Sequence, residues 1–197
     1  TGNSIINAQV TVYLGKQSIV PEDYFGYNGS SVINADGPAY DTQWFMDSLS
    51  NLSPSVVRYP AGLIGNYWDW QIGHFIKDLP QNTVLPKYFY NLDTRNLDLY
   101  TLKNLCERVG VNPIINLNLL TSDHFYQTAG LMFANSINLP VKYVEFGNEF
   151  YLDYKANENA FPTAESYIQT ANYWADYIKS RPGFSGQKIA VVGSIDN

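Results

Sequence analysis

The feature that most constrains this chain is a recurrence of β-rich runs separated by helical runs from Tyr24 to Ile195. Residues 24–28, 55–60, 111–120, 142–146 and 188–195 are rich in the β-branched and aromatic side chains that favour strands. Between them, residues 41–52, 91–109, 127–138 and 163–180 carry apolar side chains at helical spacing. Strand and helix in alternation predict a parallel sheet with right-handed crossovers. Strand centres fall at Phe25, Val57, Ile115, Val144 and Val191, and a further half-exposed strand is expected over residues 8–14, where Ala8, Val10, Val12 and Leu14 alternate with polar neighbours. A complete (β/α)8 barrel takes ~250 residues, whereas this chain of 197 reaches a fifth strand. The expected fold is therefore α/β: a partial (β/α)8 TIM barrel of about five parallel strands with alternating helices and a short N-terminal strand. Residues 1–197 are expected to form one domain, the N-terminal portion of such a barrel.

Local signals set the element ends. The helix over 41–52 places Trp44, Phe45, Ser48, Leu49 and Leu52 on one stripe, and Pro54 stops it. In 91–109 the stripe is Leu99, Leu102, Leu105, Cys106 and Val109, with Gly110 as the expected left-handed cap. Thr163 is placed to cap the last helix, whose inward set is Tyr167, Ala171, Trp174, Ala175 and Ile178. Residues 63–86 are long, irregular and aromatic, containing Tyr67, Trp68, Trp70, His74 and Phe75, which is the profile of a functional loop. Residues 151–161 read as loop.

The chemistry concentrates at Lys-Tyr-Val-Glu-Phe-Gly-Asn-Glu-Phe, residues 142–150. Pro140 bars a helix from running into this stretch, which reads as a short buried strand. A buried strand tolerates carboxylates poorly, yet Glu145 and Glu149 are both here. Period-2 alternation sets Tyr143, Glu145, Gly147 and Glu149 on one face, with Glu149 at the C-terminal tip, where parallel barrels build their active sites. Glu149 is thus the candidate catalytic carboxylate, against the plainer reading of an Asn-Glu pair in a surface loop. Arg58 ends an apolar strand and must find a carboxylate or a ligand there. Asn116 and Asn118 share a face of their strand, so that its end points polar groups into a site.

Composition narrows the partners. The net charge of −6 and a pI near 4.7 disfavour nucleic acid and anionic membranes. Aromatics make up 15% of the chain, with 16 Tyr, which suits stacking on sugar rings as well as an aromatic core. The single cysteine, Cys106, lies on a helical apolar stripe and reads as core, and His74 and His124 are too far apart for a zinc motif. No metal and no cofactor are expected. No apolar run approaches the roughly 20 residues that cross a membrane, and a low-charge chain rich in Asn and Tyr leans towards a secreted or periplasmic location.

Taken in order, these motifs resemble the retaining glycoside hydrolases of clan A, most closely the α-L-arabinofuranosidase family and more distantly the heparanase and β-glucuronidase family. The resemblance is carried by Phe25-Gly26-Tyr27-Asn28, by Arg58-Tyr59-Pro60-Ala61-Gly62 followed by Tyr67, Trp70 and Gly73, by the strand with Asn116 and Asn118, and by Phe146-Gly147-Asn148-Glu149. It implies that Glu149 is the general acid/base, that Asn148 binds the sugar hydroxyl next to the scissile carbon, and that Arg58 orients a second carboxylate. Asn28, Trp68, Asn118 and Tyr151 are the further expected carbohydrate contacts. It also places the nucleophile on a seventh strand, beyond residue 197. Leu63 stands where the family carries Asn, and the region of Ser30 where it carries Glu.

A second class of function is a half-barrel that only binds carbohydrate, pairs with itself, or is completed by a separate C-terminal half, because an open five-strand sheet leaves two edges unpaired. A nucleotide-binding doubly wound fold is disfavoured, since no Gly-rich phosphate loop follows the first strand.

Overall fold

The structure, a computed structural model, describes residues 11, 15, 19–29, 42–60, 62–76 and 97–193. In chain order the elements are β1 (Gly26–Asn28), α1 (Gln43–Leu52), β2 (Val56–Tyr59), a 3-10 helix (Leu63–Tyr67), β3 (Trp68–Asp69), β4 (His74–Phe75), α2 (Leu99–Val109), β5 (Asn112–Leu117), α3 (His124–Ser136), β6 (Tyr143–Phe146), α4 (Lys155–Ala160), α5 (Ala164–Lys179) and β7 (Lys188–Val191). Five strands form one sheet in the order β1-β2-β5-β6-β7, every pair parallel, while β3 and β4 form a separate two-stranded hairpin. A doubly wound sheet reverses its strand order at a switch point. Here the order never reverses, as in successive strands of a barrel.

Period-2 alternation gives the sheet two unlike faces. Val57, Tyr59, Ile115, Leu117, Val144 and Phe146 point to the helix side and are buried. They pack in one core with Met46 and Leu49 of α1, Leu102 and Leu105 of α2, Leu131 of α3, and Trp174 and Ile178 of α5. The opposite face, which a closed barrel turns towards its axis, carries Arg58, Asn116 and Glu145. Register explains their meeting: Asn116 lies beside Glu145, and Arg58 lies beside Ile114 one pleat below.

Capping follows the local chemistry. Asp98 accepts from Thr101 N–H at 2.7 Å and Asp123 from Tyr126 N–H at 2.9 Å, while Thr163 and Ser166 form a reciprocal capping box on α5. Gly110 closes α2 at φ 78°, the left-handed conformation expected of it. Cys106 is buried in the core, and burial pushes its thiol up to about 12.

Several sequence expectations shift. The helix expected from residue 127 starts at His124, because Asp123 is already its cap. The segment read as loop over 151–161 contains α4, and the irregular stretch from residue 63 contains the 3-10 helix and the β3–β4 hairpin. In α1 the stripe is rotated: Met46 and Leu49 are buried, whereas Trp44 and Leu52 are exposed. Residues 8–14, apart from Thr11, and residues 77–96 lie outside the described residues. Among the described residues no helix is long and apolar enough to cross a membrane.

Candidate functional site

The site grows from the way β6 ends. Its last ladder bond is Gly147 N–H to Leu117 C=O, 3.1 Å. Gly147 then turns to φ 73° and Glu149 to φ 50°. An added Cβ on Gly147 would sit 2.1 Å from the Phe150 ring, so glycine is required both by the backbone and by the space. The left-handed conformation at Glu149 is costly for a residue with a Cβ, and such strain concentrates at functional positions. Straight alternation, as read from the sequence, would have carried Glu149 along the face of Glu145. The structure turns the chain at residue 147 instead, and the link between the two carboxylates is made by side chains.

Those links run as follows. Arg58 Nε donates to Glu145 Oε2, and Arg58 Nη2 donates to Asn148 Oδ1 at 2.8 Å. With its oxygen held by Arg58, Asn148 turns Nδ2 towards Glu149 and donates to Oε2 at 3.0 Å. Tyr151 OH donates to the other oxygen, Oε1, at 3.4 Å. The Tyr151 phenol is raised from its ordinary value, by desolvation first and by the charge of Glu149 second, so it remains a donor. Asn116 Nδ2 supports the far end, donating to Glu145 Oε2 at 3.3 Å and to Gly147 C=O. Arg58 and Glu145 are each about one-fifth exposed, at 20% and 19%. The result is a continuous run of polar contacts, Asn116 to Glu145 to Arg58 to Asn148 to Glu149, at the C-terminal end of three adjacent strands.

Glu149, Asn148, Arg58 and Tyr151 therefore come together. Asn28 is the register partner of Arg58 on the neighbouring strand, exposed on the same face. Trp68 and Asn118 lie apart from this run of contacts. Trp68 is 1% exposed, stacks edge-on against Tyr59 with ring centroids 5.8 Å apart, and donates from Nε1 to Leu97 C=O at 3.1 Å. Asn118 is fully buried and organises the turn after β5: its Oδ1 accepts from Leu120 N–H and Thr121 N–H, and its Nδ2 donates to Trp68 C=O at 3.1 Å. The polar face expected to join Asn116 and Asn118 breaks because β5 ends at Leu117.

Sequence reading missed the asparagines that hold the backbone around the candidate carboxylate. Asn66, on the 3-10 helix, accepts from Asn148 N–H at 2.8 Å and donates to Asn148 C=O at 2.7 Å. Asn157 Nδ2 donates to Glu149 C=O at 3.3 Å and to Leu152 C=O at 3.2 Å. Both are buried, and the only signal available for Asn66 was a polar residue just before the aromatic cluster Tyr67, Trp68 and Trp70. A cavity of about 590 Å³ adjoins Tyr151, walled by Phe150, Phe161, Tyr167 and Val191 with Asp153 and Glu158 at its rim.

No protein-family model matches the sequence, and no curated protein sequence matches it. Solved structures do match. The α-L-arabinofuranosidase from Thermotoga maritima, solved as an arabinose complex, superposes with a TM-score of 0.58 at 17% identity, over 77% of this chain and 33% of that one. The GH51 arabinofuranosidase from Xanthomonas axonopodis pv. citri gives 0.60 at 14% identity, over 86% and 39%. A family 51 α-L-arabinofuranosidase from Bifidobacterium longum gives 0.58 at 16%, over 76% and 32%. At these identities the likeness is one of fold: the five-stranded sheet and its helices correspond to part of a TIM barrel in GH51 arabinofuranosidases. The chain spans about a third of the length of the solved structures it matches.

Proposed function

We propose that this chain is the N-terminal portion of a retaining glycoside hydrolase that cleaves O-glycosidic bonds in poly- or oligosaccharides, with Glu149 as the general acid/base. The observation that carries this reading is the placement of Glu149: a carboxylate at the C-terminal tip of a parallel strand, on left-handed backbone, with a separate donor on each oxygen. Holding a surface glutamate in this way costs about 1–3 kcal/mol of backbone strain, which a solvated loop has no reason to bear. The fold shared with arabinofuranosidases supports the same reaction class.

In the first step Glu149, as the acid, gives its proton to the leaving oxygen while a second carboxylate attacks the anomeric carbon and the glycosidic C–O bond breaks. In the second, Glu149 as carboxylate takes a proton from water, whose oxygen displaces the enzyme carboxylate and frees the sugar. Retention requires the two carboxyl groups about 5 to 5.5 Å apart. The nucleophile belongs to sequence downstream of the described residues. Arg58 orients it, and Asn148 Nδ2 binds the hydroxyl beside the reacting carbon. Asn28 and Tyr151 contact the sugar, while Trp68 and Asn118 support the site from behind. A secreted or periplasmic location suits a polysaccharide substrate. The test is the product of the protein extended through its downstream sequence. Proton NMR of the first-formed hemiacetal from arabinofuranosyl and other aryl glycosides should show the configuration of the substrate, and inversion would remove the retaining assignment.

A second reading is favoured by the sheet edges. All three residues of β1 are exposed, as are Lys188, Ala190 and Val191 of β7. A half-barrel that binds sugar and covers these edges with a second copy fits them as well. Light scattering distinguishes the two, since a monodisperse monomer over a wide concentration range contradicts self-assembly.

A further inference from the structure

We infer that Asn66 is a positioning residue for Glu149, acting as a clamp on the backbone of Asn148 rather than as a contact to sugar. The inference rests on the hydrolase reading for its consequence in turnover, but the clamp itself stands on geometry. β6 pairs with its neighbours β5 and β7 only as far as Phe146, apart from the Gly147 to Leu117 bond, so the buried N–H and C=O of Asn148 have no ladder partners. A buried backbone group left unpaired is expensive. The carboxamide of Asn66 takes both roles of the missing strand, accepting from Asn148 N–H at 2.8 Å and donating to Asn148 C=O at 2.7 Å. Asn66 is fully buried and Asn148 nearly so, so water does not compete for these bonds.

The clamp fixes the peptide planes on either side of Asn148, which lies between two left-handed residues, Gly147 at φ 73° and Glu149 at φ 50°. Two outputs depend on it. One is the direction in which the Glu149 side chain leaves the backbone. The other is the Asn148 amide, whose Oδ1 meets Arg58 and whose Nδ2 meets Glu149. The 3-10 helix that presents Asn66 is itself seated tightly. A Cβ on Gly65 would fall 2.2 Å from Asn116 Oδ1, and Thr121 Oγ1 donates to Asn66 C=O at 3.1 Å. The span from residue 66 to residue 148 thus ties the segment after β2 to the tip of β6.

The test uses Asn66→Ala and Asn66→Asp in the same extended protein that the hydrolase reading requires, with two readouts. Amide hydrogen exchange at Asn148 should accelerate at least about tenfold in Asn66→Ala, while Gly147, bonded to Leu117, stays protected. In turnover, kcat should fall on the order of 10²-fold, the scale of a misplaced catalytic group, with KM within about twofold, the split of an interaction that matters only in the transition state. Asn66→Asp keeps the acceptor and loses the donor; it carries both readouts if the alanine variant fails to fold, and should show the same kcat loss in lesser degree. Unchanged exchange at Asn148 overturns the clamp, and accelerated exchange with unchanged kcat overturns its positioning role. If the parent protein shows no turnover, the hydrolase reading and the positioning role both fall, while the exchange measurement still decides whether Asn66 holds the backbone.

Discussion

Gly147 shows how far a single residue governs the site. Its φ of 73° and the Phe150 ring, 2.1 Å from where a Cβ would stand, act together, because Phe150 is pinned between Phe161 and Tyr167 at ring distances of 4.6 and 5.4 Å. Gly147→Ala should lower stability by about 2–4 kcal/mol, combining backbone strain with overpacking. Gly110→Ala, at φ 78° with open space around it, should cost only about 1 kcal/mol, the backbone part alone. Denaturant unfolding of the two variants measures the difference, and equal losses would mean that the ring does not constrain the turn. At this scale Glu149 was legible, since a carboxylate just past a β-rich run is conspicuous. Its left-handed backbone was not, because alternation was continued past the point where Gly147 breaks it. The role of Asn66 was not legible, since its partner is 82 positions away.

At the scale of elements, helical periodicity succeeded where the helix is long. α5 buries Tyr167, Ala171, Trp174 and Ile178, four of the five residues expected inward, with Ala175 only partly buried, and its capping residue was the expected Thr163. In the shorter α1 the stripe was misphased, because exposed Trp44 and Leu52 are apolar enough to be mistaken for core while Met46 was overlooked. Ile178 is fully buried beneath the sheet, so Ile178→Ala should cost about 2–5 kcal/mol by transfer and cavity terms. A loss below about 1 kcal/mol in urea unfolding would show that α5 is not seated on the core as described.

Across the described residues, the five parallel strands in one sheet with helices between them followed from the alternation of elements. What the alternation does not contain is the tie that holds the first strand region to the others. Asp23 accepts from Lys142 Nζ, from Tyr143 OH and, at 3.3 Å, from Asn112 Nδ2, joining the segment before β1 to β5 and β6. The hydrogen bond from Lys142, followed by that from Tyr143, holds the Asp23 carboxyl below its ordinary 3.8. A lowered folded-state value means that the stabilisation is present above the unfolded pKa and is lost as pH falls through the folded one. Stability should therefore decline below about pH 4 in the parent, and Asp23→Asn should flatten that decline. An identical acid limb in thermal melts of the variant would show that Asp23 is not the titrating tie.

The role given to Glu149 is tested most directly by leaving-group dependence in the extended protein that the hydrolase reading requires. A general acid matters most when the leaving group is basic, and a dinitrophenolate departs without a proton. Glu149→Gln should lose about 10²- to 10⁴-fold in kcat/KM on an alkyl or weakly activated aryl glycoside, with glycosylation by the dinitrophenyl glycoside nearly spared. Equal rates for parent and variant on the poor leaving group would contradict the assignment of Glu149 as the acid.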